Sequence, residues 1–292
     1  MTIKIITDSC CDLPLSFVED NGDLLTVLGM PIQIDGREII DDLGKTYAHS
    51  EFYGMLRQGI MPTTSQVNAF RFEETFRAAI ADGKSIIYLG LTSGMSGTMN
   101  AASIAKQMVL DDFPNAEIRI VDTLSASIGQ GTIIVEALKR GRAGHSVKEI
   151  CDWAEAIKLK THHWFGVDDL NYLKNGGRIS QASAMVGSVL NVKPTLGVDH
   201  SGKLKPYGNV RGRKKSIALL ASKFEAHYCN ENASTVIVGH GNCPEDAERL
   251  TALIQEIAPG VEIIVSELSM TIASHVGPNM IAVAFIGDER EN

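Results

Sequence analysis

From Ser85 to Lys160 short apolar runs alternate with longer stretches of helical period, and that alternation limits the chain to few folds. Ser85 to Leu89 and Glu117 to Val121 read as strands, Thr98 to Leu110 and Ser127 to Lys139 as helices, and Ser146-Val147-Lys148-Glu149 is a capping box that opens another helix. Helices between consecutive strands supply the crossovers that parallel pairing needs, so the pattern predicts a mostly parallel sheet covered on both faces. The residues before it add an opening strand, Ile3 to Thr7, and a short helix between Pro14 and Gly22. Apolar runs follow at Leu24 to Leu28 and Met30 to Ile34, and Asp35-Gly36 before Arg37 to Ile40 is a hairpin signal. Helices are predicted from His49 or Ser50 to Gln58 and over Val67 to Ala81.

After Lys160 the rhythm changes. His163 to Val167 reads as a strand, Asn175-Gly176-Gly177 as a loop, and Val192 to Val198 faces Lys203 to Tyr207 across Asp199-His200-Ser201-Gly202 as a hairpin of a different sheet. Helices from about Lys214 to Tyr228 and Glu245 to Ile257 alternate with strands Thr235 to Gly239, Glu262 to Glu267 and Met280 to Ile286. The expected fold is α/β in two domains. Residues 1–160 form a three-layer α/β/α unit with a mostly parallel sheet, and residues 161–292 an α+β unit. With 44% of its 292 residues hydrophobic, the chain buries cores of that size without disulfides.

Charge and cysteine usage exclude several function classes. A net charge of −8 excludes a basic nucleic-acid binder. The five cysteines, Cys10, Cys11, Cys151, Cys229 and Cys243, form no CxxC pair, and no signal peptide opens the chain, so a cytoplasmic protein is expected. The uncharged window from Ser85 to Ala105 is broken by the hydroxyls and glycines of Thr92 to Thr98, which argues against a membrane span. His162 and His163 are neighbours in a strand and point to opposite faces, so no metal-ligand set closes.

Chemistry concentrates in Ser93-Gly94-Met95-Ser96-Gly97-Thr98, which follows a strand and opens a helix. Free N–H groups and the helix dipole favour an anion there, and glycine permits close approach; simple capping explains only one of the hydroxyls. Pro62-Thr63-Thr64-Ser65-Gln66 and Thr7-Asp8-Ser9 are similar clusters, and all three are expected to face one cleft at the strand ends. No phosphate-binding loop or dinucleotide fingerprint is present, and hydroxyl donors without a lysine suit a lone carboxylate. Met61, Met95 and Met99 flank these clusters, and thioethers fill irregular apolar space, which points to an amphiphile with a held head and a buried tail. At about 0.8 kcal/mol per buried CH₂, ten methylenes give on the order of 8 kcal/mol before ordering costs, so the tail supplies affinity and the head supplies register.

An alternative from another class is a serine hydrolase using Ser96 and His275, with Asp8, Asp122 or Asp169 as the orienting acid; Thr98 stands where a nucleophile elbow has its final glycine. Seven bases and no acid lie between Ser201 and Phe224, among them Arg211, Arg213, Lys214 and Lys215. Lysines at a helix start oppose its dipole, so this run reads either as a docking surface for an acidic partner or phosphate, or as a solvated face.

Blocks along nearly the whole chain resemble the bacterial DegV-like fatty-acid-binding proteins. They include Thr7-Asp8-Ser9, Pro62 to Gln66, Ser93 to Thr98, Asp122 with Ser125-Ala126-Ser127, Asp169 to Ser180, Lys193-Pro194, Val210-Arg211-Gly212, Gly239-His240-Gly241 and His275-Val276-Gly277-Pro278. The resemblance implies a non-catalytic, cofactor-free protein that holds a long-chain fatty acid such as palmitate or oleate between its domains. It also implies a partner: a separate ATP-dependent fatty acid kinase that phosphorylates the carboxylate for phospholipid synthesis. By the same resemblance Ser96 and Thr64 hold the carboxylate, with Thr63 and Ser93 beside them, His275 lies near the head group and Arg178 near the pocket mouth. The run Arg211, Arg213, Lys214 and Lys215 is similar to the kinase-facing surface. The expected site is a sealed tunnel with the acid end pinned by neutral alcohols at its blind end. Cys10-Cys11 and Asn279 depart from the family pattern, which has small or hydroxylated residues and glycine there; the first puts ligand contact by that loop in doubt.

Overall fold

The computed structural model of the chain describes residues 2–180, 191–229 and 235–290. The first half contributes strands β1 (Thr2–Asp8), β2 (Leu25–Leu28), β3 (Pro31–Ile34), β4 (Arg37–Ile40), β5 (Thr63–Thr64), β6 (Lys84–Gly90) and β7 (Ile118–Asp122). β1, β2, β6 and β7 form an all-parallel sheet in the order β2-β1-β6-β7. The run Ser85 to Leu89 is buried on both faces, as a covered parallel strand requires. Ile6, Ile86 and Tyr88 face α3 (Ala69–Ala81) and α4 (Thr98–Asp112), whereas Ile5, Ile87 and Leu89 face α5 (Ser127–Arg142) and α6 (Val147–Ile157). This is the expected three-layer arrangement. The capping box at Ser146 and Glu149 is present in full.

The second half forms a mixed sheet of β8 (Thr161–Gly166), β9 (Val192–Val198), β10 (Leu204–Arg211), β11 (Val236–His240), β12 (Ile263–Glu267) and β13 (Ile281–Ile286), in the order β10-β9-β8-β13-β11-β12. Within it only β11 and β12 pair in parallel. One face, with Trp164, Val238 and Phe285, packs on α8 (Arg213–His227) and α9 (Pro244–Ile257), the short α1 (Leu15–Asp20) and α7 (Asn171–Asn175) lying earlier in the chain. The other, with Phe165, Ile237 and Ala282, packs on α5. Thus α5 is shared by the two sheets, and every residue from Ile128 to Leu138 is buried. Its glycines let neighbours close in: a side chain at Gly131 would meet the Cys11 carbonyl at 2.5 Å.

A third, small sheet holds β4, β3 and β5. Its hairpin turns at Asp35 and Gly36, both in the left-handed region at φ 52° and 75°, as the Asp-Gly signal predicts. Two elements differ from the sequence expectation. Thr63-Thr64, expected only to precede a helix, pairs with β3 through Ile32 and Gln33. A helix, α10 (Met270–Val276), which no periodicity announced, is capped by the Ser269 hydroxyl and packs with α2 (His49–Arg57) against this sheet. Among the described residues no helix is long and apolar enough to cross a membrane.

The carboxylate of Asp12 ties these parts together. It accepts from the hydroxyl of Ser127, at the start of α5, and from the Ser269 N–H (2.9 Å), at the cap of α10. Burial raises its pKa to about 7, against the opposing effect of those hydrogen bonds. The unfolded chain releases this proton near pH 4 and the folded chain near 7, so between them the folded state binds more protons and stability falls as pH rises. Asp12→Asn has no such proton to lose. Its melting temperature is expected to gain on the wild type as pH is raised from about 4 to about 7; a difference that stays constant across thermal melts in that window contradicts the assignment.

Candidate functional site

A mostly apolar bore runs between the two sheets, with about 840 Å³ of empty space including the part open to solvent. Cys10, Met30 and Leu91 line it from the first half, and Phe165, Met280 and Ala282 from the second. Cys10 is there because the single turn of 3-10 helix after β1 points it into the seam. Methionines are adaptable wall material, and of the three expected ones only Met95 serves so, beside Met30 and Met280. Met95 lines the bore, Met61 is exposed, and Met99 is packed in the core under α4.

Polar groups gather at one end. His275, on α10, meets Thr64, on β5, with Nε2 to Oγ1 at 2.8 Å. Its Nδ1 is buried without a partner, and a side chain at Gly176 would collide with it at 2.2 Å. Burial, with the Arg178 charge adding to it, lowers the His275 pKa to about 4, so the ring is neutral at neutral pH. Arg178 donates to the carbonyls of Gly176 and of Met95 (3.1 Å), the latter across the seam. No carboxylate among the described residues pairs with it, and burial lowers its pKa from the usual arginine value. Ser96 shares a hydrogen bond with the Thr98 hydroxyl (2.9 Å) and accepts from the Thr98 N–H (3.3 Å) at the start of α4. A half-buried guanidinium without a counter-charge, a neutral imidazole and two hydroxyls at the end of an apolar channel provide for one anionic head.

The structure thus brings Thr64, Ser96, Arg178 and His275 to one bore and leaves other expected residues outside it. Thr63 is exposed, because successive residues of β5 point to opposite faces. Ser93 is also exposed, and its N–H donates to the Asp122 carboxylate at 3.3 Å. Thr7 and Ser9 are buried and spend their hydroxyls on the Leu89 carbonyl (2.8 Å) and the Met30 N–H (3.0 Å). The hydroxyl end is not a blind end: Ser65 and Gln66, which line it, are exposed, whereas Ile128, His163 and Phe165 at the other end are buried. That end is also not lined by neutral alcohols alone, since Arg178 stands among them.

The hydrolase arrangement is not assembled. His275 Nε2 serves Thr64 rather than Ser96, and neither Asp8, Asp122 nor Asp169 reaches its Nδ1. In the basic run Arg213 is bound to Asp246 (2.8 Å) and lies 3.7 Å from Asp168, a structural pairing, while Arg211, Lys214 and Lys215 are exposed. His162, His227 and Asp288 bring ligand-type atoms within 4.8 Å of one another, a cluster that the sequence reading missed. Trp164 Nε1–H donates to His162 Nδ1 at 3.3 Å, so His162 Nε2 carries the ring proton toward Asp288 and offers no lone pair to a metal.

Residues 2–288 match the family model described as uncharacterised protein, DegV family. The chain belongs to the DegV family. It is 42% identical over 287 residues to a DegV domain-containing protein of Clostridium perfringens, covering 98% of each chain. A DegV lipid binding protein of Thermotoga maritima shares the fold at a TM-score of 0.86 and 26% identity, covering 100% of both chains. A DegV family protein of Thermus thermophilus, described by its fatty acid binding, matches at a TM-score of 0.85 and 27% identity over 98% of this chain and 100% of that one. Within the DegV pattern the departure at Asn279 is accommodated, since its φ is 62°, a left-handed conformation that asparagine tolerates. Its side chain also donates to Asp168 at 3.1 Å.

The Thr64–His275 contact gives a stability prediction for this DegV chain. Thr64→Val strips the partner from the one paired nitrogen of His275 and is expected to cost about 1–3 kcal/mol in urea unfolding. Thr63→Val, at the exposed neighbour, is expected to stay within about 0.5 kcal/mol of wild type. Equal effects of the two substitutions contradict the geometry.

Proposed function

We propose that this DegV protein is a non-catalytic carrier of one long-chain fatty acid, such as palmitate or oleate, and works in the cytoplasm. The carboxylate lies at the mouth against Arg178, Ser96 and the Thr64–His275 pair, and the tail runs inward between the halves formed by residues 1–160 and 161–292. The observation that carries this is Arg178, a guanidinium at the open end of an apolar bore with no carboxylate paired to it among the described residues. Burying a cation in this way is costly unless an anion arrives to share the site. The DegV proteins of known structure described as lipid- or fatty-acid-binding share the fold, which supports the same ligand class here.

A carboxylate held at the mouth is placed for a second protein to reach. We assign that role to an ATP-dependent fatty acid kinase that forms the acyl phosphate for phospholipid synthesis, docking through the exposed Arg211, Lys214 and Lys215. His275, neutral beside the head group, donates or accepts one hydrogen bond without adding charge.

Solvent extraction of the purified protein followed by mass spectrometry is expected to yield a long-chain acid, and the delipidated protein to bind added palmitate or oleate. Ser96→Ala combined with Thr64→Ala is expected to weaken binding by about 1–3 kcal/mol, with Arg178→Met weakening it further. A protein that neither carries nor binds such an acid contradicts the reading. Charge reversal at Lys214 and Lys215 is expected to slow acyl-phosphate formation by the kinase at unchanged fatty-acid affinity; unchanged turnover removes the docking assignment.

A further inference from the structure

The bore stops at a particular side chain. On β8 the lining residues are His163, Trp164 and Phe165, and none earlier; on β13 the lining ends at Val283, and the last wall residues on β9 and β10 are Val198 and Leu204. His163 and Phe165 share the bore-facing side of β8, with His163 two residues, or roughly 7 Å, further from the mouth-side end at Gly166. One edge of the His163 ring presses on α5 so closely that a side chain at Gly129 would lie 1.9 Å from its Nε2. From behind, the guanidinium of Arg290 lies with Nη1 3.4 Å from His163 Nδ1 and donates to the Leu124 carbonyl at 3.2 Å.

Arg290 is itself only 4% exposed, and its backbone is fastened by the Leu159 carbonyl (2.8 Å) and by His200. Its Nε and Nη2, like His163 Nε2, are buried without partners. A buried cation with two idle nitrogens is costly to keep, and Asp199 offsets its charge without forming an ion pair with it among the described residues. What the pair does provide is rigidity at the closed end of a channel otherwise walled by adaptable apolar side chains.

We propose that His163, held in place by Arg290, is the end wall that sets the longest acyl chain the protein accepts. This rests on the fatty-acid reading above. A methyl terminus reaching the ring cannot push it aside, because Gly129 blocks one edge and Arg290 the other. Each further methylene must therefore stay in water or buckle. His163 is the specificity-determining residue and Arg290 a positioning residue acting through it.

The delipidated protein is offered an equimolar mixture of saturated fatty acids from about 14 to about 22 carbons, a span that reaches past palmitate and oleate in both directions and resolves single two-methylene steps, and the bound set is read by native mass spectrometry. Wild type is expected to show a sharp upper limit. His163→Ala is expected to raise occupancy by chains two carbons beyond that limit about tenfold relative to chains at it, the worth of two more buried methylenes. His163→Phe, which keeps a ring, is expected to keep the wild-type limit. Arg290→Ala, at the edge of the fold, is expected to shift the limit upward as well, and decides the matter if His163→Ala does not fold. An unchanged limit in the folded variants overturns the end-wall assignment while leaving the fatty-acid reading intact. Binding of no acid by wild type overturns that reading instead.

Discussion

The structure depends on one helix that has no face of its own. From Ile128 to Leu138 α5 is buried throughout, pressed on one side by the parallel sheet and on the other by the mixed sheet. A helix in that position needs partners for its buried polar groups, and α5 finds them for all but one, Gln130 Oε1. Gln130 donates to Thr7 at 2.9 Å, and Glu136 is held by Lys139 (3.0 Å) and accepts from the Thr235 N–H (3.0 Å). The hydrophobic core is therefore continuous across the seam, and the bore is the stretch near the start of α5 where the two sheets are not filled to contact.

That incomplete filling would be a defect in a protein with nothing to place there, since empty apolar space forfeits dispersion contacts on every wall. The polar groups at the mouth explain the direction in which it is used. Arg178 reaches from the second half to a carbonyl of the first, so the cation lies on the seam and not within either half. The imidazole of His275 is kept neutral by burial, so the guanidinium carries the charge that an acid head would meet. On the proposed reading, selectivity for an acid end comes from one unpaired positive charge, and selectivity for a long tail from the apolar walls behind it.

Much of the fold was legible because its signals are local. The Asp35-Gly36 turn, the Ser146–Glu149 capping box and the strand-helix alternation after Ser85 each state their geometry within a few residues. Thr63-Thr64 and α10 were not legible, because two residues of strand or seven of helix show no period. The site follows the same division. Hydroxyls before a helix marked Ser96 and Thr64, but the pairing of Thr64 with His275 spans 211 residues, and only the family resemblance joined them. Thr63 and Ser93 share the local signature and face outward, since composition does not record which side of a strand or loop meets the cavity. The His162–Asp288 contact, 126 residues apart, and the placing of Arg290 behind His163 leave no trace in local sequence.

The central claim is that an ionised acid head lies against Arg178 at the mouth. A fatty acid labelled with ¹³C at the carboxyl, bound to the delipidated protein and titrated by NMR, reports this directly. The account predicts a carboxyl pKa below that of the same acid in water, returning upward in Arg178→Met. A bound carboxyl whose pKa is at or above the free value, and indifferent to Arg178, would contradict it.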